Sequence, residues 1–115
     1  MELSNRKPPG VSIEDLSEGS GRIAAAGSVV RIRTRGRLNR GESIDYDEEN
    51  GDIAEFRIGE RQIIPGLERG VIGMREGGTR RLPISPHLAY GDSGVPDRIP
   101  PGAVLEYDVE LLSCD

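Results

Sequence analysis

The stretch Leu105-Glu106-Tyr107-Asp108-Val109-Glu110-Leu111-Leu112 alternates apolar and acidic residues almost without a fault. Successive side chains of an extended chain point to opposite faces, so this pattern specifies a strand with one dry and one wet face. A strand of that kind needs similar neighbours and something to cover its dry side.

Neighbours are present. Val30, Ile32 and Thr34 alternate with Arg31, Arg33 and Arg35, and Ala54, Phe56 and Ile58 alternate with Glu55 and Arg57. Leu82 and Ile84 flank Pro83, which lacks a ladder donor and confines its strand to an edge or to its own end. A weaker strand covers Val11 to Leu16 and stops at Ser17-Glu18-Gly19-Ser20-Gly21. Arg31, Arg33 and Arg35 would pair with Glu106, Asp108 and Glu110 if those two strands are adjacent. Each exposed pair contributes at most about 1 kcal/mol, so such pairs set register more than stability.

One segment breaks the period. Leu67, Val71 and Met74 fall at i, i+4 and i+7, on one helical face. Pro65 suits the first turn, and Gly77-Gly78 is the expected stop. Gly70 and Gly73 cost this helix about 1 kcal/mol each relative to Ala, so packing on the sheet must hold it. The expected class is α+β, a twisted antiparallel sheet of about five strands wrapped around one short α-helix.

A chain of 115 residues fits one domain that buries roughly two-thirds of its unfolded surface. Residues 1–10, ending in Pro8-Pro9-Gly10, read as a flexible arm, and residues 11–115 as a single domain. The arm has no apolar run, so neither a signal peptide nor a membrane span is expected and the cytoplasm is the default location. The net charge of −5 argues against a nucleic-acid partner, which needs clustered Lys and Arg. The acidic run from Asp45 to Asn50 reads as a solvated loop. Cys114 is the one cysteine, so no internal disulfide is expected, and His87 is the one histidine, so neither is a metal site. There is no Gly-x-Ser-x-Gly elbow and no Cys–His pair for a hydrolase.

The remaining landmarks are Ile63-Ile64-Pro65-Gly66, Met74, Gly77-Gly78, Ala89-Tyr90-Gly91 and Ile99-Pro100-Pro101-Gly102-Ala103. In this order they resemble the FKBP-type peptidyl-prolyl isomerases, over about residues 11 to 112. The resemblance implies an FKBP-like fold and catalysed rotation about X–Pro bonds in polypeptides, without metal, cofactor or nucleophile. It implies Asp45, which follows the hairpin from Gly36 to Ile44, and Tyr90 as catalytic residues, with the Tyr90 hydroxyl offered to the substrate carbonyl. The Ile64 backbone N–H would hold the substrate chain, Ile99 and Tyr107 would line the wall, and Ile63 and Phe56 would complete the lining.

Departures from the family pattern cluster in the substrate-binding set. Leu67 stands where most members carry the Trp that floors the hollow. Ala54 and Ile44 replace aromatic wall residues, Thr34 replaces a Tyr that touches the acid, and Val95 replaces a ring in the loop. Exchanging Trp for Leu forfeits on the order of 70 Å² of contact, or ~2 kcal/mol of binding. Macrolide inhibitors are therefore expected to bind weakly. A catalytically weak peptide-binding module or holdase is the alternative reading. Only residues 92–98 separate Gly91 from Ile99, so no inserted chaperone domain is expected; this segment would roof the hollow. No dimerisation helix or repeat flanks the domain, which suggests a monomer with neither nucleic-acid nor membrane partners.

Overall fold

The computed structural model describes residues 13–115, and the expected arm at residues 1–10 lies outside them. The alternating segments become five antiparallel strands: β1 (Glu14–Ser17), β2 (Val29–Leu38), β3 (Asp52–Arg57), β4 (Thr79–Ile84) and β5 (Leu105–Cys114). They form one sheet in the order β1-β4-β5-β2-β3. The expected start of the first strand, at Val11, is likewise outside the described residues.

The core lies on the dry face. Val30 and Ile32 of β2, Leu82 and Ile84 of β4, and Leu105, Val109 and Leu111 of β5 are almost fully buried. Pro83 faces Glu106 of β5 and is the last residue but one of β4; among the described residues, the β4 residue nearest to it that pairs with β1 is Arg81. It thus lies at the end of its strand, although β4 is an inner strand.

The outer face is laced by charge, but not with the expected arginines alone. Arg33 pairs with Glu110 at 3.0 Å. Arg31 lies opposite Ser113, and Arg35 donates to the Glu49 carbonyl at 3.2 Å. Arg37 takes Glu106 at 2.6 Å, while Arg81 from the other side takes Asp108 at 2.9 Å. The correction follows from sheet order: β5 has β4 on one flank and β2 on the other, so its acids draw on both.

The single α-helix among the described residues, α1 (Pro65–Val71), packs its back against β4. Its stop comes earlier than Gly77-Gly78. Ile72 leaves the helix in an extended conformation, and Gly73, at a left-handed φ of 89°, completes the turn at low cost. Met74 is buried, but in the extended segment beyond the helix, where its carbonyl accepts the Ala24 N–H at 2.8 Å. Gly66 and Gly70, four apart, form the face that meets β4. A β-carbon on either would lie 2.4 Å from the Ile84 or Leu82 side chain. These glycines weaken the helix locally yet let it sit closer to the sheet.

Arg80 closes the arrangement. It points inward on β4, buried, pairs with Asp15 at 2.6 Å and donates to the carbonyls of Gly70 at 3.0 Å and Ile72 at 2.7 Å. Those are carbonyls at the C-terminal end of α1, left without partners by the helix itself. One guanidinium thus ties β1 and β4 to the helix end.

The last strand carries a bulge. Arg31 faces Ser113 while Ile32 faces Leu111, so Leu112 is an extra residue. Beyond it the alternation changes phase, and Cys114 rather than Ser113 is buried.

Candidate active site

A hollow of about 230 Å³ opens where the helix start, β2, β5 and the segment after β4 converge. Leu67, on the first turn of α1, lies beside it, with Tyr107 from β5 and Ile63, Ile44, Val95 and Ile99 as apolar walls. Thr34, Asp45 and Tyr90 supply polar groups. Nine of the residues named from the sequence thus share one concavity, and Asp45 and Tyr90 are on the same side of the molecule.

Three do not border it. Phe56 is buried in the core, as its dry-face position on β3 requires. Ala54 shares that face but carries only a methyl, which packs against the core instead of reaching the hollow. Ile64 is half-buried at the helix N-terminus, where its carbonyl accepts the N–H groups of Leu67 and Glu68, both at 3.1 Å. Pro65 follows it, so the chain enters the helix with the Ile64 backbone extended, at φ −57° and ψ 143°.

Asp45 is held by its setting. Its Oδ1 accepts the Gly36 N–H at 2.7 Å, and its own N–H donates to Ser43 Oγ at 3.2 Å. Gly36 also makes room for the wall: a β-carbon there would lie 2.5 Å from the Tyr107 ring. Burial raises the Asp45 carboxyl above the usual carboxylate range, with nearby Asp52 adding to the rise and the Gly36 N–H opposing it. Burial also pushes the Tyr107 phenol upward, reinforced by the Tyr90 hydroxyl and by the Asp45 and Asp52 carboxylates. Tyr107 therefore stays protonated and is a donor at every physiological pH.

Tyr90 follows the short 3-10 turn Pro86–Leu88 and is partly exposed. The next residue, Gly91, donates to the Pro86 carbonyl at 2.8 Å and accepts from Gly102 at 2.9 Å, which fixes the base of the loop. His87 of that turn is exposed. Thr34 is buried, and its hydroxyl lies 3.5 Å from the Asp52 carbonyl.

Three lining residues were not foreseen: Tyr46, Asp52 and Arg98. The Asp52 carboxylate accepts the N–H groups of Tyr46 and Asp47, each at 3.0 Å, and so folds the acidic run back on the strand. Arg98 places its guanidinium over the Tyr46 ring, 3.9 Å from its centroid, and donates to the Ile44 carbonyl. The signal for Asp52 is its position at the first residue of β3 after the Gly51 turn; nothing in the sequence alone signals Arg98. Among the described residues no group of three His, Cys, Asp or Glu is placed to hold a metal ion.

A concave apolar site with two acids, three phenols and a helix start, at the mouth of a sheet wrapped around one helix, defines a class. The family model for FKBP-type peptidyl-prolyl cis-trans isomerases matches residues 20–112, and the chain belongs to that family. It is 45% identical over 107 residues to FK506-binding protein 4 of Dictyostelium discoideum, covering 93% of this chain and 29% of that one. It is 41% identical over 102 residues to the 46 kDa FK506-binding nuclear protein of Spodoptera frugiperda, covering 89% of this chain and 25% of that one. The chain thus spans between 25% and 29% of the length of these two relatives. Among solved structures, that of AtFKBP13 superposes with a TM-score of 0.80 at 32% identity, covering 95% of this chain and 96% of the other.

Proposed function

We propose that this hollow binds the proline of an X–Pro segment and lowers the barrier to rotation about the preceding bond. That barrier is ~18–20 kcal/mol, because resonance gives the C–N bond partial double character. As the amide twists, its nitrogen becomes pyramidal and its carbonyl loses charge separation. A water-poor site therefore favours the twisted state over the planar one. The walls supply dryness: Leu67 under the proline ring, with Ile44, Ile99 and Tyr107 around it. Asp45 sets a negative wall that penalises the polarised carbonyl of the planar amide. The Tyr90 hydroxyl holds the carbonyl as it turns, and the Ile64 N–H holds the chain beyond. No covalent step enters, and no proton changes hands.

The observation that carries this reading is that Asp45 and Tyr90 border the same hollow as Leu67 and Tyr107. Exchange NMR on a short X–Pro peptide tests it, with Asp45→Ala and Tyr90→Phe beside the parent. Accelerated exchange in the parent and slower exchange in both variants supports the assignment. If both variants match an active parent, the site is elsewhere.

A second reading, a peptide-binding module or holdase with little turnover, is favoured by Leu67, Thr34 and Ala54, which leave the site poor in rings. Under it, the peptide signals shift on adding protein but exchange no faster. Either reading takes proline-containing polypeptides, with an apolar residue before proline favoured by the apolar walls, and macrolides of the FK506 type with weak affinity. We read the chain as a monomer that binds neither nucleic acid nor membrane. The net charge of −5 supports the first exclusion. No helix among the described residues is long and apolar enough to cross a membrane. The cytoplasm is the compartment we assign; the nucleus is the alternative, raised by the name of the Spodoptera relative. Sedimentation and cell fractionation test these points.

A further inference from the structure

Arg98 sends its side chain from the 92–98 segment across to the opposite rim of the hollow. The turn that carries it is tightly closed. Val95 N–H donates to the Ile99 carbonyl and Ile99 N–H to the Val95 carbonyl, both at 2.8 Å, and Arg98 N–H adds a third bond to Val95 at 3.0 Å. Val95, Arg98 and Ile99 thus form one tightly bonded unit, and all three border the hollow. On the far side the guanidinium donates to the Ile44 carbonyl and lies over the Tyr46 ring. Ile44 is a wall residue, Tyr46 is at the rim, and Asp45 stands between them. The two segments that face each other across the opening are therefore joined at the residue before Asp45 and the residue after it.

We propose that Arg98 is a positioning residue for the isomerase site, a latch that holds the Val95–Ile99 turn to the Ile44–Tyr46 segment and so fixes both the width of the hollow and the placement of Asp45. This rests on the isomerase reading above. Asp45 has its own anchors, the Gly36 N–H and Ser43 Oγ, but both lie on the β2 hairpin, and neither relates the acid to the opposite wall. Arg98 does. A flat cation suits the task, because one face covers an aromatic ring while the edge still donates in plane to a carbonyl. A long apolar side chain would cover the ring but leave the carbonyl unclaimed. The reacting centre is sensitive to such placement, since displacement by about 1 Å costs up to a hundredfold in rate.

The test compares the parent with Arg98→Met and Arg98→Lys by exchange NMR on an X–Pro peptide, by thermal unfolding, and by the backbone amide and methyl signals of the protein. Arg98→Met is expected to lower kcat/KM by roughly tenfold with little change in Tm, and to broaden the signals of Val95, Ile99 and Asp45 together. Arg98→Lys, which keeps a charge but not the flat fork, is expected to fall between Arg98→Met and the parent in rate and in signal width. Full activity and unbroadened signals in Arg98→Met overturn the proposal. So does a loss that follows Tm, because that would mark Arg98 as a fold-stabilising residue only. If the parent itself does not accelerate exchange, the isomerase reading fails on its own, and with it the role of Arg98 as a positioning residue for that reaction. The signals then report the latch alone.

Discussion

The Tyr107 ring occupies the place where a β-carbon on Gly36 would stand, 2.5 Å away. The same glycine donates its N–H to Asp45. One residue without a side chain therefore seats a wall of the hollow and anchors its acid. Gly36→Ala is expected to push the ring toward the cavity at a cost of about 1–3 kcal/mol. Thermal unfolding reads that loss, and kcat/KM should fall further than the stability loss alone accounts for.

Asp45 should be costly to the fold. Its carboxyl is raised by burial, so the folded state holds the proton more tightly than the unfolded chain does. Stability then falls as pH rises through the window between the unfolded and folded values, and the deficit persists at neutral pH. Asp45→Asn keeps an acceptor for the Gly36 N–H and removes the charge. The variant is expected to melt higher than the parent at neutral pH, to lose that advantage in acid below the ordinary carboxylate range, and to isomerise more slowly. Melting curves across pH, beside exchange rates, check all three.

Asp108 should show the opposite sign. Arg81, with Arg37 on the other flank, holds its carboxyl below the usual range despite partial burial. That contribution is present above the unfolded pKa and is lost as pH falls through the lower folded value. Asp108→Asn is expected to lower stability at neutral pH by no more than about 1 kcal/mol per pair, read as a lower Tm. The difference should shrink in molar salt and close in strong acid.

Gly70→Ala sets two effects against each other. The methyl improves helix propensity by about 1 kcal/mol. It also lands 2.4 Å from Leu82, and overpacking costs about 1–3 kcal/mol. Packing should win, so the variant melts lower; a higher Tm would mean that Leu82 can turn aside.

Leu67→Trp tests the floor. Leu67 is buried and borders the hollow. A ring there should restore on the order of 70 Å² of contact, about 2 kcal/mol, and tighten FK506 roughly 25-fold by titration calorimetry. Unchanged affinity would show that Leu67 does not limit macrolide binding.

Much of the fold was legible because a sheet wet on one side writes its period directly into the chain. The residues Val30, Ile32, Val109 and Leu111 show it, and all four are fully buried. The helix end was not legible, because Gly73 and Gly77 both have positive φ and composition alone does not say which of them stops the helix. Arg80 escaped notice for a related reason: a charged residue in the inward phase of β4 makes sense only once Asp15 and the helix carbonyls are seen around it. At the site, Asp45, Tyr90, Leu67 and Tyr107 converge from four separate stretches of chain, and the resemblance named them together. Phe56 and Ala54 came with them although they face the core. Arg98 and Tyr46 meet only through loop geometry, and the acidic run around Tyr46 looked like open solvent until Asp52 was seen to fold it back.

The extra residue in β5 decides what the chain's only thiol meets. Because Leu112 is unpaired, Cys114 turns toward hydrocarbon, and its N–H is claimed by Glu76 Oε2 at 2.7 Å. An alkylating reagent can reach that sulfur only after the final strand lets go. The pace of labelling in native buffer is therefore a clock for the opening of β5, built into the chain without any engineered probe.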